Sequence, residues 1–250
     1  MTDFIGPRFI HETNFNFNPD EKPPLKLGIP QPPLELPCDE TQLISLPKPA
    51  DIKLPGYDLR QAIEQRKSLR AYADVSLTLE ELSYLLWCTQ GVKSISSERP
   101  ATSRTVPSAG ARHAFETYLL INRVNGVEAG LYRFAAIEHA LLPVRLGEGL
   151  AEEMALACRK QPHVLNSAVS FFWVAVVERM TWRYMQRGYR YLYLDAGHVC
   201  QNLYLAAESI DCGVCAIAAF DDLAINHSPA VDGERPFAIY AAALGKKIKA

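Results

Sequence analysis

Apolar residues step by four and three along one stretch of the chain, through Leu192, Ala196, Val199, Leu203, Ala206 and Ile210. That spacing predicts a long helix with one apolar face, and Gly213 is placed to close it. A second helix is predicted over "LTLEELSYLLWCTQG", where Leu79, Leu82, Leu85 and Leu86 share a stripe. Thr78 and Glu81 have the spacing of a capping box, and Leu77 and Leu82 that of a hydrophobic staple. Gly91 can end this helix. Shorter helices are predicted at "DLRQAIEQRK", with Asp58 as N-cap and Leu59 and Ile63 on one face, and at "EGLAEEMALAC". "AFETYLLINRV", "GLYRF", "HALLPVRL" and "FAIYAAALG" read as strands. "AVSFFWVAVV" (168–177) is apolar at every position but one, as expected of a central strand covered on both faces. Strands and helices in this order predict an α+β layered domain without internal repeats.

The first 57 residues break the pattern. Eleven of the 17 prolines lie there, and proline removes amide donors and disfavours helix. We therefore divide the chain into a proline-rich extension, 1–57, and a folded domain, 58–250. The extension is expected to be an extended arm that wraps a neighbour or is partly mobile. Its PxxP-like spacing also suits an SH3-type groove, a reading secondary to a packed arm.

The 250 residues are 48% hydrophobic and 22% charged, ordinary for a globular protein with a sizeable core. A net charge of -2 gives no general attraction to nucleic acid or anionic membranes. The start lacks a basic stretch followed by an apolar one, and residues 168–177 are too short to span a bilayer. A cytoplasmic location is expected, with the six scattered cysteines kept as thiols. "NHS" (226–228) would accept a glycan only in a secreted protein.

Several motifs carry less than they suggest. Cys212 and Cys215 form a C-x-x-C. It follows a predicted helix C-terminus, where the dipole opposes thiolate formation, and no second ligand pair is spaced for zinc. "GEGLAE" (147–152) echoes a dinucleotide fingerprint, but its glutamates would repel a pyrophosphate. His198 stands alone on its helix without a second histidine at i+4, so no metal is expected.

The chemistry concentrates at "QRKSLRAY" (65–72). Arg66, Lys67 and Arg70 surround Ser68 at the end of a predicted helix. Cations there stabilise the helix end by about 0.3–1 kcal/mol each. If the segment runs extended, Arg66, Ser68 and Arg70 also point one way. Two guanidinium forks flanking a hydroxyl fit a terminal phosphate, at roughly 1.5–3 kcal/mol per charged hydrogen bond. Three further segments bear on this. Pro107-Ser108-Ala109-Gly110 is a small-residue loop that lets a flat ring approach the backbone. "GVCAIAAFDD" (213–222) is again small and apolar. Lys246 and Lys247 follow the last strand.

In this order and spacing, the R-x-S-x-R, "PSAG", "YRYLYLDAGHVCQNLYLAAE", "AIAAFDD" and "LGKK" segments resemble the nitroreductase-fold flavoproteins, most closely the SagB/ThcOx-type dehydrogenases. The resemblance covers about residues 58–247. It implies a nitroreductase-like mixed β-sheet flanked by helices, an intertwined homodimer and an FMN cofactor at each of two interfaces. By position, Arg66, Ser68 and Arg70 would hold the FMN phosphate, with Lys67 nearby and Lys246 and Lys247 adding charge. Pro107, Ser108, Ala109 and Gly110 would line the flavin from the other subunit. Backbone amides at Ala218 and Ala219 would face its reactive edge. In azoline-oxidising relatives a basic residue followed by tyrosine is implicated in proton removal. Arg190-Tyr191 is the nearest match. Arginine stays protonated, so Arg190 would support a tyrosinate while Tyr191 moves the proton. Ala111, Ala114-Phe115 and Ala218 replace residues frequent in relatives, which leaves the substrate class open.

The expected function is an FMN-dependent oxidoreductase acting on a small organic or peptide-derived substrate. In one direction it would oxidise azoline rings in a modified peptide. In the other, NAD(P)H would donate electrons for nitro or quinone reduction. A non-catalytic flavin-binding partner in a biosynthetic complex is the reading from another class.

Overall fold

The computed structural model describes residues 4–97, 100–226 and 236–249. In chain order the elements are α1 (Ile5–Glu12), β1 (Ile44–Ser45), α2 (Leu59–Gln65), α3 (Leu79–Gln90), β2 (Val92–Ser96), β3 (Ala101–Arg104), β4 (Phe115–Ile121), β5 (Gly130–Ala135) and β6 (Ala140–Leu146). There follow α4 (Leu150–Ala157), α5 (Pro162–Leu165), β7 (Val169–Ala175), α6 (Val177–Tyr184), α7 (Gly188–Glu208), β8 (Cys212–Ile217), α8 (Asp222–Asn226) and β9 (Phe237–Lys246).

Seven strands form one sheet in the order β1-β6-β5-β4-β7-β9-β8. All its ladders are antiparallel. A parallel bridge between Ser68 and Val214 adds one residue of the segment after α2 beside β8. β7 lies between β4 and β9, and it is buried at every position because the sheet has a core on each face. Phe171 and Trp173 join Leu119 and Ile121 in the core that α3 and α7 cover. Phe172 and Val174 join Tyr118 and Leu120 in the core under α4 and α8. Period-two side-chain alternation feeds both layers from one apolar run.

The capping box at Thr78 and Glu81 forms, and Leu77 and Leu82 are fully buried beneath it. Asp58 caps α2 through the Gln61 N–H at 2.8 Å. Its predicted apolar face is not covered within the chain. Leu59 is 63% and Ile63 57% exposed, and Ala62 is the buried position. The long helix ends at Glu208, before Ile210, because Asp211 turns left-handed (φ 55°) and Gly213 is already in β8. Gly213 therefore serves close packing and not helix closure.

Residues 4–57 lie along their own chain. Pro33 and Ile29 carbonyls accept from Arg179 Nε (2.7 Å) and Trp182 Nε1 (2.8 Å). The Leu36 N–H donates to Glu116 Oε1 at 2.9 Å, and the Pro37 carbonyl accepts from Arg133 at 2.6 Å. β1 completes the sheet edge on β6. The segment is less extended than its proline content predicts. α1 forms because Pro7 falls in its first turn, where no amide donor is needed. No described helix is long and apolar enough to cross a membrane. His227 and Ser228 of the "NHS" triplet lie outside the described residues.

Candidate functional site

α2 stops at Gln65, and residues 66–70 run extended alongside β8. The Leu69 N–H donates to the Val214 carbonyl at 2.9 Å, and the Leu69 side chain lies on Gly213. A methyl at Gly213 would meet Leu69 Cδ1 at 2.3 Å. Leu69 thus points into the fold, and the alternate positions Arg66, Ser68 and Arg70 line up against α7 and β8. Arg66 stacks over the Tyr204 ring at 5.3 Å. Ser68 Oγ lies 2.9 Å from Tyr204 Oη, which also accepts the Ala216 N–H at 2.9 Å. Arg70 lies near the Cys215 thiol, and its charge favours the thiolate. Among the described residues neither guanidinium is paired with a carboxylate. Two unpaired cations and a hydroxyl on one strand form a donor set for an anion of phosphate type.

Lys67 is exposed in the same segment. Lys246 and Lys247 are engaged elsewhere. Lys246 is bonded to Glu81 and to the Ile210 carbonyl (2.8 Å), and Lys247 to Glu208. Ala218 and Ala219 follow β8 and are exposed, with the Ala219 carbonyl accepting from Gln161 at 2.8 Å. β8 therefore links the arginine segment to the Ala218-Ala219 backbone along one strand.

The Pro107–Gly110 loop lies elsewhere on the chain. Its Ala109 N–H donates to Asp195 Oδ1 on α7 at 3.3 Å. Asp195 and Tyr204 are nine helical positions apart, about 13 Å along the axis and half a turn around it. The loop and the arginine segment are therefore anchored on opposite faces of α7.

Arg190 and Tyr191 diverge. Arg190 donates to Thr13 Oγ1 and the Ile10 carbonyl at the C-terminal end of α1. The cation at the Tyr191 phenol is Arg187, whose Nε donates to it at 2.9 Å. The Tyr184 ring meets Tyr191 edge-on at 4.8 Å. Support of the Tyr191 phenol is thus geometrically Arg187's role. A helical i,i+4 pair faces one way, whereas adjacent positions do not.

The C-x-x-C lies in β8, where positions three apart face opposite sides of the strand. Burial pushes the Cys212 thiol up to about 12 and raises Cys215. Both are unreactive by this measure. His198 is exposed, and no metal-type cluster occurs among the described residues.

Three partners went unpredicted. Tyr204 and Asp195 carry no local signal beyond their place on the apolar helix. Glu116 is a carboxylate amid the apolar strand "AFETYLLI", a position that asks for a buried partner. It has Arg133 at 3.4 Å and Arg179 at 2.6 Å.

A family model described as the nitroreductase family matches residues 63–246. The nitroreductase-like protein MJ1384 of Methanocaldococcus jannaschii is 37% identical over 183 residues, 73% of this chain and 87% of that one. The trifolitoxin-processing protein TfxB of Rhizobium leguminosarum bv. trifolii is 30% identical over 109 residues, 42% of this chain and 29% of that protein. Among solved structures, a nitroreductase-like protein from Anabaena variabilis aligns with TM-score 0.64 at 29% identity, over 76% of this chain and 38% of that one. The Escherichia coli microcin synthetase McbBCD complex, with truncated pro-MccB17 bound, aligns with TM-score 0.60 at 18% identity, over 82% and 79% of the two chains. A nitroreductase-like protein from Desulfovibrio desulfuricans, in complex with FMN, aligns with TM-score 0.53 at 17% identity, over 78% and 89%. The last two share the fold.

Proposed function

Because the chain belongs to the nitroreductase family and is an oxidoreductase, we propose that it is a SagB-type FMN-dependent dehydrogenase. Its substrate is a small organic or peptide-derived molecule. The observation that carries this reading is the Arg66-Ser68-Arg70 strand, which offers two guanidinium groups, without carboxylate partners among the described residues, on either side of a hydroxyl. FMN, when bound, supplies a two-electron carrier.

Arg66, Ser68 and Arg70 hold its phosphate, and Lys67 adds charge. Lys246 and Lys247 act at longer range, since each is committed to a carboxylate. The Ala218 and Ala219 amides meet the ring edge. Pro107, Ser108, Ala109 and Gly110 line the ring from a second copy, which suits their separation from the arginine segment in one chain. A homodimer would also cover the apolar surface left by Leu59, Ile63, Tyr193 and Leu194. Tyr191, with Arg187 at its phenol, moves the proton. A peptide-derived substrate is the reading we favour beside the likeness to the trifolitoxin-processing protein TfxB and the fold shared with the McbBCD microcin synthetase. The likeness to MJ1384 favours a second reading, NAD(P)H-dependent reduction of nitro or quinone compounds. We place the protein in the cytoplasm.

Absorbance of the purified protein tests the cofactor. Flavin bands are expected, as isolated or after adding FMN, and a colourless protein that takes up no FMN rejects the reading. Rapid bleaching by NAD(P)H would favour the reductase.

A further inference from the structure

The loop between β3 and β4 holds three residues in the left-handed region: Gly110 (φ 58°), Ala111 (φ 53°) and His113 (φ 42°). Glycine takes this conformation freely, but alanine and histidine are held there against their steric preference. Such strain persists only where surrounding contacts over-determine the backbone, and it concentrates at functional sites.

Some of the restraint is internal to the loop. The His113 N–H donates to Ser108 Oγ at 2.9 Å, and the Arg112 Nε–H to the Gly110 carbonyl at 3.0 Å. Two further contacts come from one side chain on another element. Asp195 of α7 accepts the Ala109 N–H through Oδ1 at 3.3 Å and lies beside Ser108. The Ser108 hydroxyl in turn holds the far end of the loop through the His113 N–H.

Asp195 is an expensive choice for a purely structural clamp. It is 4% exposed, and its Oδ2 has no hydrogen-bond partner among the described residues. An unsatisfied buried carboxylate oxygen destabilises the fold. Burial accordingly raises its pKa. A residue that costs stability and holds a strained loop fits a functional demand on the loop's shape.

We propose that Asp195 is the positioning residue of the flavin site: it locks residues 108–113 so that the backbone surface of the Pro107–Gly110 loop is formed before the cofactor arrives. This rests on the reading that the loop lines the flavin. Preformation lowers the ordering cost of binding, so its loss appears as weaker affinity. The assigned role concerns the loop and not the reacting atoms.

The test is FMN titration of the full-length protein, followed by flavin fluorescence, with melting of the FMN-free protein measured in parallel. Asp195→Ala should weaken FMN binding about tenfold, the equivalent of one charged hydrogen bond, while the melting temperature holds or rises. Asp195→Asn keeps an acceptor for the Ala109 N–H and should restore affinity to within about threefold of wild type. Ser108→Ala, which leaves the carboxylate and the Ala109 contact in place, should weaken binding too and serves if Asp195→Ala does not fold. Wild-type affinity in both Asp195→Ala and Ser108→Ala overturns this inference alone. So does a loss of affinity that tracks a loss of melting temperature and is not rescued by Asp195→Asn. Absence of FMN binding by the wild type overturns the flavin reading itself.

Discussion

Tyr204 Oη lies 2.9 Å from Ser68 Oγ and accepts the Ala216 N–H at the same distance. One phenol on α7 thus ties the arginine segment to β8. Either hydroxyl can donate across the Ser68–Tyr204 contact, so each supports the other's position.

Tyr204→Phe should remove both contacts while keeping the ring under Arg66. Leaving the Ala216 N–H without its acceptor costs about 1–2 kcal/mol. For a chain of this size each kcal/mol lowers the melting temperature by about 2–4 °C. Differential scanning calorimetry reads this loss. The same variant should bind FMN more weakly, because Ser68 loses its anchor.

The unpaired arginines and the paired lysines should separate in binding. Arg66→Ala and Arg70→Ala each remove a charged donor and should weaken FMN affinity by about 10–100-fold. Lys246→Ala should weaken it far less. It should instead lower stability, because Glu81 loses its ammonium partner at a largely buried position. Equal losses of affinity across the three variants would contradict the distinction between free and committed cations.

Much of the fold was legible because its signals are local. Thr78 and Glu81 fix the start of α3 by spacing alone, and residues 168–177 announce a two-sided core strand by composition. The arginine segment was legible for the same reason, since Arg66, Ser68 and Arg70 alternate within five residues. Tyr204 was not. It stands 136 positions from Ser68, and only the crossing of α7 over β8 brings them together. Arg190 was read as the companion of Tyr191 from the resemblance to a basic residue followed by tyrosine in azoline-oxidising relatives. A helix turns adjacent residues about 100° apart, so Arg187 took that place and Arg190 reached α1. Leu59 and Ile63 were read as sharing one face, but periodicity does not say which partner covers a stripe.

The anchoring of residues 29–37 should depend on pH. Glu35 accepts the Ala136 N–H at 2.6 Å beside Glu116. Burial first, then repulsion from Glu116, raises its carboxyl from 4.5 to about 7. A carboxyl raised on folding binds a proton more tightly in the native state. Its stabilising contribution is therefore full below about 4.5 and is lost as pH rises through about 7. Glu35→Gln should melt higher than wild type at pH 8, by about 2–4 °C per kcal/mol recovered, and the gap should narrow by pH 5.5. Thermal melts at both values decide it, and a gap that widens on acidification contradicts this account.

Arg190 offers a separate test of the first helix. Its guanidinium meets Thr13 and the Ile10 carbonyl, where the end of α1 presents unpaired carbonyls. Arg187 adds a bond to the Thr13 carbonyl at 3.1 Å and lies 4.0 Å over the Phe15 ring. Arg190→Ala should release α1 and speed proteolysis within residues 4–23 several-fold, with the global melt changed by less than about 1 kcal/mol. Mass spectrometry of a limited trypsin or chymotrypsin digest locates the cuts. A protection pattern identical to wild type would mean that Arg187 alone holds the helix.

The contact between Leu69 and Gly213 can be tested by compensation. A methyl at Gly213 would lie 2.3 Å from Leu69 Cδ1 and 2.9 Å from Leu69 Cβ. The Cδ1 clash could be relieved by a rotamer change, but the Cβ contact requires the backbone of residues 66–70 to move. Gly213→Ala should therefore lift the segment from β8, lengthen the Leu69 N–H to Val214 carbonyl bond, and weaken FMN binding and stability together. Overpacking of this kind costs about 1–3 kcal/mol. Leu69→Gly removes Cβ together with the rest of the side chain, so the double variant should regain affinity over Gly213→Ala. A double-mutant cycle on FMN affinity should give a favourable coupling of about 0.5–3 kcal/mol. Strict additivity would show that the segment is held on β8 by something other than this packing, and the placement of Arg66 and Arg70 would lose its structural cause.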